Sequence, residues 1–203
     1  MKAIDALKLL ADLKTPAFTT NDAAAALGIS RSHAGKTLER LGDAGHLIRL
    51  HHGLWIFPDR ADLPRLAAWL ASPSPCYISL QSALYAHGLV SQIPQRVYLV
   101  STARTRLYHT PLGAVSLHHV QPSFFAGYTT DPGTGIALAQ PENALVDFLY
   151  LTPTRSRLFK LLPEIDFPKG FRWTEARKFV DLIASPRRQA MVKTRLEALR
   201  KAN

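Results

Sequence analysis

The chain has little cysteine. Its 203 residues include only Cys76, so no disulfide can form within it and the metal motifs built on paired cysteines are excluded. It also has no long apolar run. No stretch approaches about 18 consecutive apolar residues, so no membrane-spanning helix is expected. The opening stretch MKAIDALKLLADLKT interleaves charged and apolar residues, which is not the basic-then-apolar order of a signal peptide. The resulting expectation is a cytoplasmic protein with no membrane partner. Acids are scarce, at 15 Asp and Glu against 25 Lys and Arg. Between residues 63 and 160 the only acids are Asp131, Glu142 and Asp147. Glu142 and Asp147 stand five apart on an expected helix, a spacing that does not bring two side chains onto one face. No nucleophile elbow and no phosphate loop occurs, and GTG at 133–135 reads as a turn. No catalytic set and no cofactor are therefore expected.

What is present is positive charge and enough apolar residue for a core. The formal net charge is +10, which favours polyanionic partners, nucleic acid first among them. Residues 161–203 hold 10 basic and 5 acidic side chains, half of the whole excess. Charge alone therefore does not single out the N-terminal segment, and pattern has to.

In that segment Ala3, Ala6, Leu7, Leu10 and Leu13 recur at helical spacing, ahead of Thr15-Pro16. Phe18 and Thr19 read as a connector, and Thr20-Asn21 as caps for a second helix over DAAAAL that stops at Gly28. Ser30 caps a third helix running to about Asp43, so the pair forms a helix-turn-helix. On the third helix Ala34, Leu38 and Leu41 make the core side. Ser32, His33, Lys36 and Arg40 fall on the opposite arc, with Arg31 in the first turn. That arc suits a recognition helix in a major groove, although a solvated helix face would carry the same charges. Two strands follow, over 46–50 and 54–57, joined by His51-His52-Gly53. Helices followed by a hairpin in this order make a winged helix-turn-helix over residues 1–60. Arg49, His51 and His52 on the wing are placed for backbone or minor-groove contact. Adjacent histidines on a strand point to opposite faces, so neither His51-His52 nor His118-His119 is expected to hold a metal.

Residues 61–203 read as a second, α+β domain. Expected in order are a helix near 63–70, a short extended piece at Tyr77-Ile78, and a helix over SLQSALYAHG capped by Ser79. Strand RVYLVST follows, with burial on both faces, then two strands around TPLG and short strands in FFAGYTT and GTGIALA. The helix PENALVDFLYL opens with Pro141 and Glu142 and shows one apolar face. Helices over TRSRLFKLL, WTEARKFVDLIA and PRRQAMVKTRLEALRKA complete the chain. Arg104 and Arg106, two apart on an expected strand, form a candidate anion-binding pair or a charged strand edge. Phe124, Phe125 and Tyr128 read as core. The basic tail, with Arg187, Arg188, Lys193, Arg195, Arg200 and Lys201, offers either further phosphate contacts or a solvated face. The fold expected is thus α+β, with an N-terminal winged helix-turn-helix and a C-terminal domain holding a small mixed sheet and several helices.

The run YISLQSALYAHGLVSQIPQRVYLVSTARTRLYHTPLGAVSLHHV, followed by FFAGY and QPENALVDFLYL, resembles the AbiEi family of type IV antitoxins of abortive-infection systems. The likeness runs from the first helix to about Leu151. One departure is Asn143, where the family carries lysine after Pro-Glu. The resemblance implies a transcriptional autorepressor whose winged helix binds inverted repeats in its own promoter. It also implies a functional partner, a nucleotidyltransferase-like toxin opposed through the second domain without a stable complex. The alternative from charge alone is a basic RNA- or protein-binding regulatory module without operator-specific DNA binding.

Overall fold

The computed structural model describes residues 2–152 and 164–202. The helix expected over residues 154–162 lies outside the described residues. Internal contacts divide the chain into two compact units, Met1–Leu70 with His109–Gly113, and Ala71–Tyr108 with Ala114–Asn203.

The first unit begins with helix α1 (Ala3–Ala11), strand β1 (Phe18–Thr19), helix α2 (Thr20–Leu27) and helix α3 (Arg31–Asp43). Strands β2 (Ile48–His51) and β3 (Leu54–Ile56) follow, and then helix α4 (Leu63–Ala71). The α2 cap lies one residue earlier than the sequence suggests. Thr19 accepts from the Asp22 backbone N–H at 3.2 Å while the Asp22 carboxylate accepts from the Thr19 N–H at 2.7 Å, a reciprocal capping box. Gly28, at φ +63, ends the helix in the left-handed conformation that glycine tolerates. Ser30 then caps α3 by accepting from His33 N–H at 3.3 Å, as its residue type leads one to expect.

Residues 18–19, expected as a connector, form a third strand. β1 pairs antiparallel with β3, with Phe18 opposite Trp55, and the sheet order is β1-β3-β2. Phe18 and Trp55 are buried with Leu10, Leu27, Leu38 and Leu41 in the core of this unit. Each such side chain withdrawn from water contributes roughly 1.5–3 kcal/mol.

In the second unit, among the described residues, a strand and a helix are followed by a run of strands and then by a run of helices. β4 (Cys76–Ile78), α5 (Leu80–Ala86), β5 (Arg96–Ser101), β6 (Arg106–Thr110), β7 (Gly113–His119), β8 (Tyr128–Thr130) and β9 (Ala137–Ala139) come first. Helices α6 (Pro141–Leu151), α7 (Trp173–Asp181) and α8 (Pro186–Ala202) follow. The six strands are ordered β6-β7-β5-β4-β9-β8. β5 runs parallel to β7 and β4 to β9, whereas β4 and β5, and β8 and β9, are antiparallel, so the sheet is mixed. The class is α+β, as the sequence indicates.

α6 differs from the one-faced helix expected. Every residue from Glu142 to Leu151 is buried, so this helix is enclosed all round, with α5, α7 and α8 of the same unit contributing to its core. That burial takes in three polar side chains, Glu142, Asn143 and Asp147.

Candidate nucleic-acid interface

In the first unit α2 and α3 meet across the Gly28 turn, and Ala34, Thr37, Leu38 and Leu41 anchor the inner face of α3. Its outer face is therefore fixed in direction. The β2–β3 hairpin is tied to the same frame at several points. The backbone N–H of Thr20 donates to the Gly53 carbonyl at 2.9 Å, and the Trp55 indole N–H donates to the Thr20 hydroxyl at 3.4 Å. Gly42 is where α3 passes over that indole. A Cβ at residue 42 would lie 3.1 Å from the Trp55 ring, so the close approach uses the missing side chain.

The wing is shorter than the sequence suggests. His51 belongs to β2, which carries a bulge between Arg49 and His51, and the turn proper is His52-Gly53. Arg49 holds the turn. Its guanidinium donates to His52 Nδ1 at 2.8 Å and lies over the Trp55 ring, 5.7 Å from the centroid. Accepting at Nδ1 leaves the neutral imidazole proton on Nε2, on the other side of the ring.

Between α3 and the wing lies an open trough of about 570 Å³. Arg31, Ser32, Lys36, Arg49 and His52 line it, with Thr20, Gly35, Glu39, Gly53 and Trp55. Five of the eight residues expected at a DNA interface are thereby brought together. His33 and Arg40 are not among them. At about 100° per residue they fall on the other margin of α3, where they line a separate hollow with Lys2, Thr37 and His46. His51, half-buried on β2, lines neither. The outer arc is also less purely cationic than expected, because exposed Glu39 stands beside Lys36 in the trough. Glu39, Lys2 and His46 were missed. Helical spacing places Glu39 near the centre of the outward arc, and that was the signal available for it.

The second unit has its chemistry inside. The carboxylate of Asp147 accepts on one oxygen from Ser79 Oγ at 2.6 Å, Tyr77 Oη at 3.1 Å and Asn143 Nδ2 at 3.2 Å. Its other oxygen is buried without a partner. Burial pushes this carboxyl up from 3.8 to about 7, against the opposing pull of the Ser79 and Tyr77 hydrogen bonds. The Tyr77 phenol is driven up by burial and by the neighbouring Asp147 charge. Ser79, expected to cap α5, makes no capping bond and serves Asp147 instead. Glu142 is also buried but ion-paired. Its Oε1 accepts from Arg172 Nε at 2.9 Å, and that pairing outweighs burial and holds the carboxyl low. These groups are locked to one another, which is a core-building arrangement. Among the described residues no three His, Cys, Asp or Glu side chains are grouped to hold a metal.

Arg104 and Arg106 are both exposed, but they do not share a strand. β6 starts at Arg106, whose guanidinium lies 4.9 Å from the centroid of the Tyr108 ring, and Arg104 is in the irregular segment before it. Tyr77 stacks on Tyr128, 4.7 Å away and nearly parallel, and meets Phe125 at a tilt; Phe124 is buried, but Tyr128, expected as core, is exposed and Phe125 is half-buried. In the tail, Glu197 pairs with Arg177 at 2.8 Å and more loosely with Arg200, and Arg188 lies over Tyr150. Part of the tail's charge is therefore neutralised within the unit. No helix among the described residues is long and apolar enough to cross a membrane.

Helices α1, α2 and α3, with a three-stranded sheet whose β2–β3 hairpin lies beside α3, give the first unit the form of a winged helix-turn-helix. Residues 5–58 match the family model described as a transcriptional regulator, AbiEi antitoxin. The match begins within α1, takes in the wing and ends two residues past β3, about a quarter of the chain, so it is a likeness of this segment to a regulator model. No curated protein matches the chain.

Proposed function

We propose that this protein is a DNA-binding regulator that docks α3 in the major groove of duplex DNA and lays its wing on the flanking backbone. The observation that carries this reading is the trough in which Arg31, Lys36, Arg49 and His52 converge, within the segment matched by a regulator family. Ser32, Lys36 and Glu39 lie along the middle of the outward arc, where a groove-bound helix meets base edges. Arg49 and His52 lie at the wing, where phosphates pass. The target is the promoter of its own gene, at inverted repeats, and the binding represses transcription. The second unit counters a nucleotidyltransferase-like toxin without a stable complex, and the whole acts as a type IV antitoxin in phage defence. These last roles are supported by the likeness of the motifs from Tyr77 to Leu151.

The test is a gel-shift titration of the full chain against the DNA immediately upstream of its gene, at two salt concentrations, with scrambled duplex as competitor. Binding should survive the competitor, and a Lys36→Ala/Arg49→Ala variant should lose at least about tenfold, since each good base or phosphate contact is worth about 1–3 kcal/mol. Equal affinity of the unmodified protein for scrambled DNA would overturn the operator reading.

A further inference from the structure

We propose that the first unit carries a second phosphate-binding site, the hollow formed by Lys2, His33, Arg40 and His46 on the flank of α3 away from the wing trough. It would grip the DNA strand opposite the one met by the wing. The inference rests on the DNA-binding reading above and adds the second half of the grip.

The hollow holds about 250 Å³, and its floor is made by small residues, Ala3 and Ala6 from α1 and Ala44 beyond α3. Four basic side chains stand around it and no carboxylate lines it. All four are exposed. Among the described residues, none of these side chains takes part in an ion pair or a hydrogen bond. Structural arginines on this protein look different: Arg172 and Arg177 are paired with Glu142 and Glu197. Four unneutralised donors converging on a small-floored concavity match a phosphodiester group, which offers several acceptors and a negative charge.

Geometry says which phosphates. An α-helix with its side chains is about 10–12 Å across, close to the roughly 12 Å width of the major groove. A helix seated there has one sugar–phosphate strand along each flank. Arg31 and Gly35 mark the flank of α3 that faces the wing, while His33, Thr37 and Arg40 mark the other. The wing covers the first strand, and Lys2 and His46 join Arg40 over the second. Contacts of this kind fix register and orientation and add affinity for any sequence.

The experiment uses the full chain and fluorescence anisotropy with two duplexes, the promoter and a scrambled sequence, across a salt series. Removing one cation from a phosphate lowers the magnitude of the log K against log salt slope by about 0.9. A Lys2→Gln/Arg40→Gln variant should therefore show a slope smaller by about 1.8. Its preference for promoter over scrambled DNA should stay as it was, and Arg40→Lys alone should retain the slope. An unchanged slope in the double variant would overturn the proposal, as would disappearance of the sequence preference at unchanged slope, which would make Arg40 a base reader. Should the double variant melt early, Lys2→Gln alone decides, since that exposed side chain makes no capping bond to α1. It should lower the slope by about 0.9. If the unmodified protein shows no preference for its promoter, the operator reading fails, while the slopes on either duplex still decide the hollow.

Discussion

Asp147 should set the pH response of the second unit, and replacing it with asparagine should reverse that response. In the native protein the carboxyl ionises only near pH 7, whereas its ordinary value is 3.8. Between those values the folded chain keeps a proton that the unfolded chain has released. The group's stabilising contribution is therefore complete below about pH 4 and is lost as pH rises through 7. At about 1.4 kcal/mol per tenfold change in proton activity, the full range amounts to about 4 kcal/mol. His118 works in the opposite direction. Burial, helped by the Arg96 cation, lowers it from 6.5 to about 4, so its contribution is present above 6.5 and disappears as pH falls through 4. That is about 3 kcal/mol over nearly the same interval. In the unmodified protein the two slopes oppose each other, and stability should vary little between pH 4 and 6.5 before declining toward pH 8. Asp147→Asn keeps an acceptor for Ser79, Tyr77 and Asn143 and removes the titration. Its stability should climb with pH, gaining about 4 kcal/mol on the unmodified protein between about pH 4 and pH 8. Urea denaturation of both proteins, followed by circular dichroism across that range, measures the difference directly. Parallel pH curves for the two would refute the argument, because they would mean that Asp147 releases its proton in the folded state as easily as in the unfolded chain.

Gly127→Ala should cost about 2 kcal/mol or more, seen as a lower melting temperature, since φ is +74 there and the new Cβ would lie 2.6 Å from both Asn143 Cγ and Phe179 Cε1. A melting temperature equal to that of the unmodified protein would count against this packing. Glu39→Gln should tighten binding to scrambled duplex several-fold by removing an acid that faces a polyanion, and unchanged binding would show that Glu39 does not face DNA. Arg49→Ala removes both the bond to His52 and the guanidinium over Trp55, an interaction worth about 0.5–1 kcal/mol. Faster hydrogen exchange at residues 49–54 together with weaker DNA binding is the expected outcome, and unchanged exchange would mean the turn holds itself.

The helix-turn-helix was legible because its signals are local. Apolar spacing, the Gly28 stop and the Ser30 cap each act within a turn or two of chain. β1 was not legible, because two residues carry no periodicity and Phe18 becomes a strand residue only by meeting Trp55. The outward arc of α3 was legible as an arc, but its division into two flanks depends on where α1 and the wing stand beside it. The polar interior of α6 was hidden for a related reason. The partners of Asp147 on the sheet side, Tyr77 and Ser79, lie some seventy residues earlier, and a serine ahead of a helix looks like a cap until the carboxylate that claims it is seen.

The placement of Trp55 gives the first unit its own optical gauge. One indole touches the passage of α3 at Gly42, bonds to the start of α2 at Thr20, and lies beneath the wing's Arg49. Any change in the angle between helix and hairpin must move its surroundings, and a phosphate that draws Arg49 off the ring removes a positive charge from its face. The chain's other two tryptophans, Trp69 and Trp173, lie outside this group of neighbours. With both replaced by phenylalanine, the light emitted by Trp55 would test the proposed docking from within the trough, without any attached dye.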